Sequence, residues 1–181
     1  MTLVIGLSGR IGSGKGTVSE YLQEKYGAKD LVFSDILKDI LNRLDIPVTR
    51  YSLQQLGRSL RDGLGADVLV KAMKGDIAKS KAKVLLIDGV RYLNEARLVK
   101  SFPKYTLIFI DAPLEVRYNR VVKRGTRGEA SMSFSDFKRK DNAPTEAEIT
   151  EVQEFSDSLI SNTGTIKELQ STIDELMGQL V

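Results

Sequence analysis

The residues best suited to chemistry lie near the N-terminus, in Gly9-Arg10-Ile11-Gly12-Ser13-Gly14-Lys15-Gly16-Thr17. Gly9, Gly14 and Lys15 have the G-x-x-x-x-G-K spacing of a phosphate-binding loop. Glycines let consecutive backbone N–H groups turn inward, a following helix N-terminus adds partial positive charge, and Lys15 supplies a full one. Each loop residue is therefore a candidate for nucleotide phosphate binding. One position departs from the usual form. Gly16 stands where a Ser or Thr normally follows the lysine, and Thr17, the candidate metal-side hydroxyl, comes one place late.

Other candidates fall after apolar runs. Asp88, followed by Arg91, ends the run Lys83-Val84-Leu85-Leu86-Ile87. A carboxylate on a strand beside a phosphate loop can hold Mg2+, usually through water, and Arg91 would project over the same cleft. Ser34-Asp35 ends a second run and Asp111 a third; the plainest reading of Asp111 is a helix cap. Arg117, Arg120 and Arg124 stand at i, i+3, i+7 with Arg127 beyond, and Lys138, Arg139 and Lys140 follow. They form either a solvated basic face or a cover that closes arginines over transferred phosphate. Nucleic-acid binding is disfavoured, because the sheet that brackets this cluster already presents a phosphate loop.

Composition narrows the chemistry further. The chain has 181 residues, no Cys and no His, so thiol nucleophiles, disulfides, thiolate metal sites and imidazole bases are excluded. Any metal must be hard and oxygen-bound, which suggests Mg2+. A formal charge of +3 favours no particular partner. No apolar run reaches membrane-span length and the N-terminus lacks signal-peptide features, so a cytoplasmic protein is expected.

The elements that must position these residues alternate. The first strand is Leu3-Val4-Ile5-Gly6-Leu7, followed by a helix with Val18, Leu22 and Tyr26 on one face. Leu31-Val32-Phe33 is the second strand, and Ile36, Ile40, Leu41 and Leu44 mark a helix stopped before Pro47. Residues 52–80 read as more helix, broken at Gly63–Gly65, with Asp67 as N-cap. Strands three and four, 83–88 and 105–111, are nearly continuous apolar runs, as expected of strands covered on both faces. A helix from Pro113 turns Leu114, Tyr118, Val121 and Val122 to the core, while 125–143 shows no clear periodicity. Thr145 with Glu148, and Thr165 with Glu168, are capping boxes, and Ser158-Leu159-Ile160-Ser161 between them is a fifth strand. The expected fold is one α/β domain over 1–181: a five-stranded, mostly parallel, doubly wound sheet with a P-loop. It carries a helical acceptor-binding insertion at about 35–80 and a short lid at about 125–143. In such sheets ligands sit at the carboxyl ends of the strands.

At this point the chain resembles the adenylate-kinase-like nucleoside monophosphate kinases, and in general look their archaeal adenylate-kinase-related type. Gly14-Lys15-Gly16-Thr17 is similar to that family's Gly-Lys-Gly-Thr, displaced threonine included. Ser34-Asp35-Ile36-Leu37-Lys38 resembles its acceptor helix, with Lys38 in an acceptor-phosphate position. Ile87-Asp88-Gly89-Val90-Arg91 resembles its Asp-Gly-Phe-Pro-Arg segment, one residue shorter. Arg120 and Arg124 match a base-packing and a phosphate-contacting arginine, and Arg139-Lys140-Asp141 the returning lid motif. The family's second lid arginine has no counterpart, since position 150 is Thr. Phage deoxynucleoside monophosphate kinases share the Asp-x-x-Arg pattern. A secondary resemblance is to dephospho-coenzyme A kinases, through Gly6–Lys15 and through Asn162-Thr163-Gly164, which is similar to their base-contacting loop. There Asp35 falls where they carry a catalytic Asp, although they have Ser where this chain has Gly16.

The resemblance implies ATP-dependent, Mg2+-assisted phosphoryl transfer to a small-molecule nucleoside or deoxynucleoside monophosphate. Lys15, Asp35, Asp88, Arg91, Arg124 and Arg139 are then the catalytic candidates. Asp35, Lys38, Arg58, Arg61 and Arg91 would hold the acceptor, with Arg58 and Arg61 equally readable as surface residues. Arg120, Asn162 and Gly164 would hold ATP, and Thr17 and Asp88 the metal. The alternative enzyme phosphorylates a hydroxyl with Asp35 as base. A nucleotide-gated binding protein without turnover is the alternative from another class.

Overall fold

The computed structural model of the chain describes residues 1–125, 129–143 and 146–180. Arg127 of the basic stripe and Thr145 of one expected capping box lie outside the described residues.

Five strands form one sheet: β1 (Leu3–Ser8), β2 (Lys29–Val32), β3 (Val84–Val90), β4 (Tyr105–Asp111) and β5 (Ser158–Ser161). Their order is β2-β3-β1-β4-β5, and every pairing is parallel. β1 thus lies at the centre, with the chain winding to one side through β2 and β3 and to the other through β4 and β5. That reversal places the phosphate loop, which leaves β1, at the point where a crevice opens between diverging connections.

Helices cover both faces, which is why the central strands read as continuous apolar runs. On one face, Val18 and Leu22 of α1 (Lys15–Tyr26) and Leu169, Ile173 and Met177 of α9 (Ile166–Leu180) pack on Leu3, Ile5, Leu7, Leu86, Ile108 and Ile110. On the other, α2 (Phe33–Arg43), α4 (Val68–Lys79), α5 (Leu93–Lys100) and α8 (Ile149–Glu154) pack on Val4, Leu85, Ile87 and Leu107. The insertion is completed by α3 (Arg50–Leu64), which a reciprocal Thr49–Ser52 capping box opens. The capping box at the start of α9 forms as its spacing requires: Thr165 N–H donates to Glu168 Oε2 at 2.7 Å and Glu168 N–H to Thr165 Oγ1 at 3.2 Å.

Four local expectations change. The second strand ends at Val32, so Ser34 and Asp35 sit in the first turn of α2 rather than on a strand. Asp67 stands at the N-cap of α4, but its side chain makes no cap bond and instead accepts from Asn94 Nδ2 at 2.9 Å. Asp111 is the last residue of β4 and caps nothing: α6 (Leu114–Arg124) takes Pro113 as its N-cap. Within the segment expected as a lid, Phe134–Asp141 forms α7, begun by Ser133 accepting from Asp136 N–H at 3.1 Å and anchored by fully buried Phe137. An eight-residue helix with a single deep anchor leaves little periodicity to read.

Candidate phosphate-transfer site

The loop joining β1 to α1 is shaped by what lies against it. Gly9 has φ 139°, and a Cβ there would stand 2.3 Å from the carbonyl oxygen of Ile110 on β4. Gly14, at φ 107°, is the N-cap of α1. Within the loop Ser13 N–H donates to Arg10 O at 3.2 Å. Lys15 folds back onto its own loop, donating to Gly9 O at 2.5 Å and Arg10 O at 3.1 Å. Burial, reinforced by the positive charge of Arg91, lowers its pKa to about 8, and Asp88 and Glu146 oppose that shift. Arg91, Asp88 and Glu146 therefore all act on the Lys15 ammonium.

A register shift between Leu7 and Ser8 in the β1–β3 pairing sets Asp88 in place. The residue pairs with Leu7 on one side and Val32 of β2 on the other, and Ser8 Oγ donates to Val90 O at 2.6 Å just beyond. Burial raises the Asp88 carboxyl pKa, while Lys15, the Gly89 N–H and Arg91 pull it back. One of its oxygens is buried with no hydrogen-bond partner among the described residues.

Asp30 is a residue that the sequence reading missed. It pairs with Leu86 on β3, so the two-residue strand period puts it on the same face as Asp88. Burial first, then Asp88 and Asp35, raise its pKa to about 6, and one oxygen is buried and unpartnered. A carboxylate with a raised native pKa favours the fold most when protonated; that advantage is lost as pH rises through about 6. Asp30→Asn is therefore expected to raise the thermal midpoint in metal-free buffer at pH 7.5 and to do markedly less at pH 5. Equal shifts at both pH values would contradict a repelled carboxylate there. Asp88 beside the phosphate loop, and Asp30 acting with it from the next strand, are hard oxygen donors and fit Mg2+.

Position 16 explains its own oddity only in part. A Cβ on Gly16 would meet nothing within 4 Å, so the fold does not demand glycine there. Gly16→Ser is expected to stabilise the first turn of α1 by at most about 1 kcal/mol. It should also tighten Mg2+-nucleotide binding by offering a hydroxyl. Thermal melts with and without Mg2+-ATP would check both, and a midpoint that falls only with nucleotide present would mean the phosphates need that space. Thr17, half-buried in the same turn, offers a native hydroxyl one residue on.

The arginines divide sharply. Arg117, readable from the sequence as solvated, is 4% exposed. It donates two bonds to Asp141, at 2.6 and 2.8 Å, and others to Ala112 O and to Ile11 O of the loop. Arg10 reaches Asp141 O at 3.3 Å and Thr150 Oγ1 at 3.1 Å. The end of α7 is thus tied to the phosphate loop by two arginines. Arg120 has a buried Nη1 without a partner among the described residues, and Arg124 pairs at 2.7 Å with Glu129, which is 1% exposed. Arg139 is exposed and pairs with Asp136 of its own helix.

Among the residues expected to hold an acceptor, Arg91 pairs with Glu146, and its backbone N–H donates to the buried carboxylate of Glu95 at 2.9 Å. Arg61 lies 4.5 Å from the Tyr92 ring centroid and 3.4 Å from Glu95 Oε1, a role that joins α3 to the β3–α5 loop. Lys38 and Asp35 bind each other at 2.6 Å. Arg58 is exposed and pairs with Asp62 along α3, so the structure does not bring it to the others. An open cleft between α3 and α7 is lined by Arg50, Gln54, Arg139 and Lys140. Asn162 is buried against the loop, while Gly164 is exposed later in the β5–α9 connection.

A glycine loop between the central strand and α1, at the switch point of an all-parallel five-stranded sheet, defines the kinase-like P-loop fold. Residues 5–141 match the family model described as AAA domain, and the chain belongs to that family. It is 26% identical to the UPF0200 protein of Hyperthermus butylicus, over 98% of this chain and 95% of the relative. It is 28% identical to that of Sulfurisphaera tokodaii, over 98% and 97%. Among solved structures it is similar to shikimate kinase from Acinetobacter baumannii in complex with shikimate, with TM-score 0.60, 17% identity and coverage of 99% and 94%. Shikimate kinase from Bacteroides thetaiotaomicron gives TM-score 0.63 and 15% identity, over 97% and 98%. No helix among the described residues is long and apolar enough to cross a membrane.

Proposed function

We propose that this protein is an ATP-dependent phosphotransferase whose acceptor is a nucleoside or deoxynucleoside monophosphate. The observation that carries the reading is the gathering of Lys15, Asp88 and Arg91 around one phosphate loop at the sheet's switch point. Lys15 would exchange the carbonyls of Gly9 and Arg10 for donor phosphate oxygens, aided by the N–H groups of residues 12–17. Arg120, with its buried nitrogen unpartnered, and Arg124 would contact the donor nucleotide. Arg91 would leave Glu146 for the acceptor phosphate, and Lys38 would leave Asp35 for it. Asp88 and Asp30, with the Thr17 hydroxyl, would hold Mg2+, which when bound neutralises and orients the donor phosphates. An acceptor phosphate is already ionised, so positioning and charge neutralisation supply most of the rate and no imidazole is needed.

A second reading has its own observation. Asp88 and Asp35 both act on the Asp30 carboxyl, so three carboxylates gather near β2 and β3. A hydroxyl acceptor, as in dephospho-coenzyme A or in the small-molecule kinases that share the fold, would need such a carboxylate as base. Asp35→Asn separates the two. Loss of turnover on the order of 10²-fold or more supports the hydroxyl acceptor, and a mainly raised acceptor KM supports the monophosphate. The direct test is a panel of nucleoside and deoxynucleoside monophosphates, dephospho-coenzyme A and shikimate, assayed with Mg2+-ATP for ADP release. If no acceptor raises ADP release above background, a nucleotide-gated binding protein becomes the better description.

A further inference from the structure

We infer that Asn162 is a positioning residue for the phosphate loop, one that aims the Gly14 N–H at bound phosphate without touching the nucleotide. This rests on the reading that the loop takes phosphate, and on the following contacts. Asn162 Nδ2 donates to Ser13 O at 2.8 Å across a separation of 149 residues, in a buried setting. A carbonyl can only accept, so the amide nitrogen must face it. The carbonyl of Ser13 and the N–H of Gly14 belong to one trans peptide plane and point in opposite directions. Fixing the carbonyl against Asn162 therefore turns the Gly14 N–H away from Asn162.

Asn162 is itself held. Its backbone N–H donates to Asp111 O at 2.7 Å, which continues the β4–β5 ladder one residue past the strand. Only 7% of Asn162 is exposed. The fit is close: a Cβ on Gly14 would lie 2.2 Å from Asn162 Nδ2, so glycine at 14 and asparagine at 162 are matched to each other. The C-terminal strand thus reaches back to orient a peptide near the N-terminus. With its donor committed to Ser13 O, the amide nitrogen has a partner inside the protein and is not turned toward an adenine ring.

Asn162→Asp keeps the side-chain volume and replaces the donor with an acceptor. The probes are ATP and tripolyphosphate, each with Mg2+, titrated into the full chain by calorimetry. A positioning role predicts that the affinity of both falls by roughly tenfold at pH 8, in parallel. Relative to wild type the loss should shrink as pH drops and the carboxylic acid becomes able to donate to Ser13 O. A drop for ATP with tripolyphosphate unchanged would mean a base contact and would overturn the proposal. So would unchanged binding of both. A wild-type protein that binds neither probe removes the phosphate-loop reading as well, so the two failures are told apart. Because the variant could fail to fold, the wild-type amide spectrum gives an independent measure. The Gly14 N–H signal should move strongly on adding tripolyphosphate, and a Gly14 signal that stays in place would refute the inference.

Discussion

Replacing Lys15 with Met is expected to lower turnover on the order of 10²–10³-fold and to weaken ATP binding, while the ligand-free protein becomes more stable. The pairing of these effects is the informative part. Without a ligand the Lys15 ammonium is held by two neutral carbonyls, and Arg91 repels it. Its pKa falls from 10.5 to about 8, so between those values the unfolded chain binds the proton and the native chain does not. Stability gains from this group as pH rises across that window, and below pH 8 the full destabilisation is present. Lys15→Met removes it, so the variant's thermal advantage should be largest near pH 7 and shrink toward pH 10. Wild-type ATP affinity should weaken above pH 8 over the same range, as the free ammonium loses its charge. Calorimetry and thermal melts on one protein series would check both, and a variant that binds ATP as tightly as wild type would remove the loop from the mechanism.

The second large effect concerns the pairing of α6 with α7. Arg117→Ala is expected to destabilise the fold by about 3–5 kcal/mol, because it leaves the buried Asp141 carboxylate with only Arg10 at 3.9 Å. Arg117 and Asp141 are 4% and 6% exposed, and their two short bonds are reinforced by Arg117 contacts to Ala112 O and Ile11 O. For a domain of this size the thermal midpoint should fall by roughly 10 °C. Removing both charges with an Arg117→Met, Asp141→Leu double substitution should recover most of that loss, since apolar groups of similar volume can replace a buried pair. ATP affinity should remain lowered in the double variant, because the bond from Arg117 to the loop carbonyl of Ile11 is still missing. Full recovery of affinity along with stability would show that this ion pair serves folding alone.

Much of the site was legible because it is local. The spacing Gly9–Gly14–Lys15 is a covalent property of one short stretch, and its flanking strand and helix are read from apolar runs and periodicity. Thr165 and Glu168 also meet across one helical turn, and their bonds form as expected. Asp30 was not legible. In Lys29-Asp30-Leu31-Val32 it looks like a polar residue at an edge, and only the β2–β3 register puts it beside Asp88. The role of Arg117 depends on Asp141, 24 residues away, and that of Asn162 on Ser13, 149 residues away. Arg58 and Arg61 show the reverse: one helix carries both, yet one is exposed beside Asp62 and the other is engaged by Glu95 and Tyr92.

Sequence alone determined that a phosphate loop leaves a buried strand and opens a helix, because backbone conformation there follows from glycine positions and hydrophobic period over a few residues. It also determined the α/β class, since alternating apolar runs and amphipathic helices have few ways to bury both faces of a sheet. Tertiary structure decided which charges serve that loop. A charged side chain's role is set by burial and by the partner it meets, and those partners come from other strands and helices that a local pattern does not encode. The loop was therefore visible in the chain itself, while the residues that hold it, Asn162 and Arg117 from outside and Asp141 and Thr150 through the loop's own Arg10, were fixed only when the sheet closed around them.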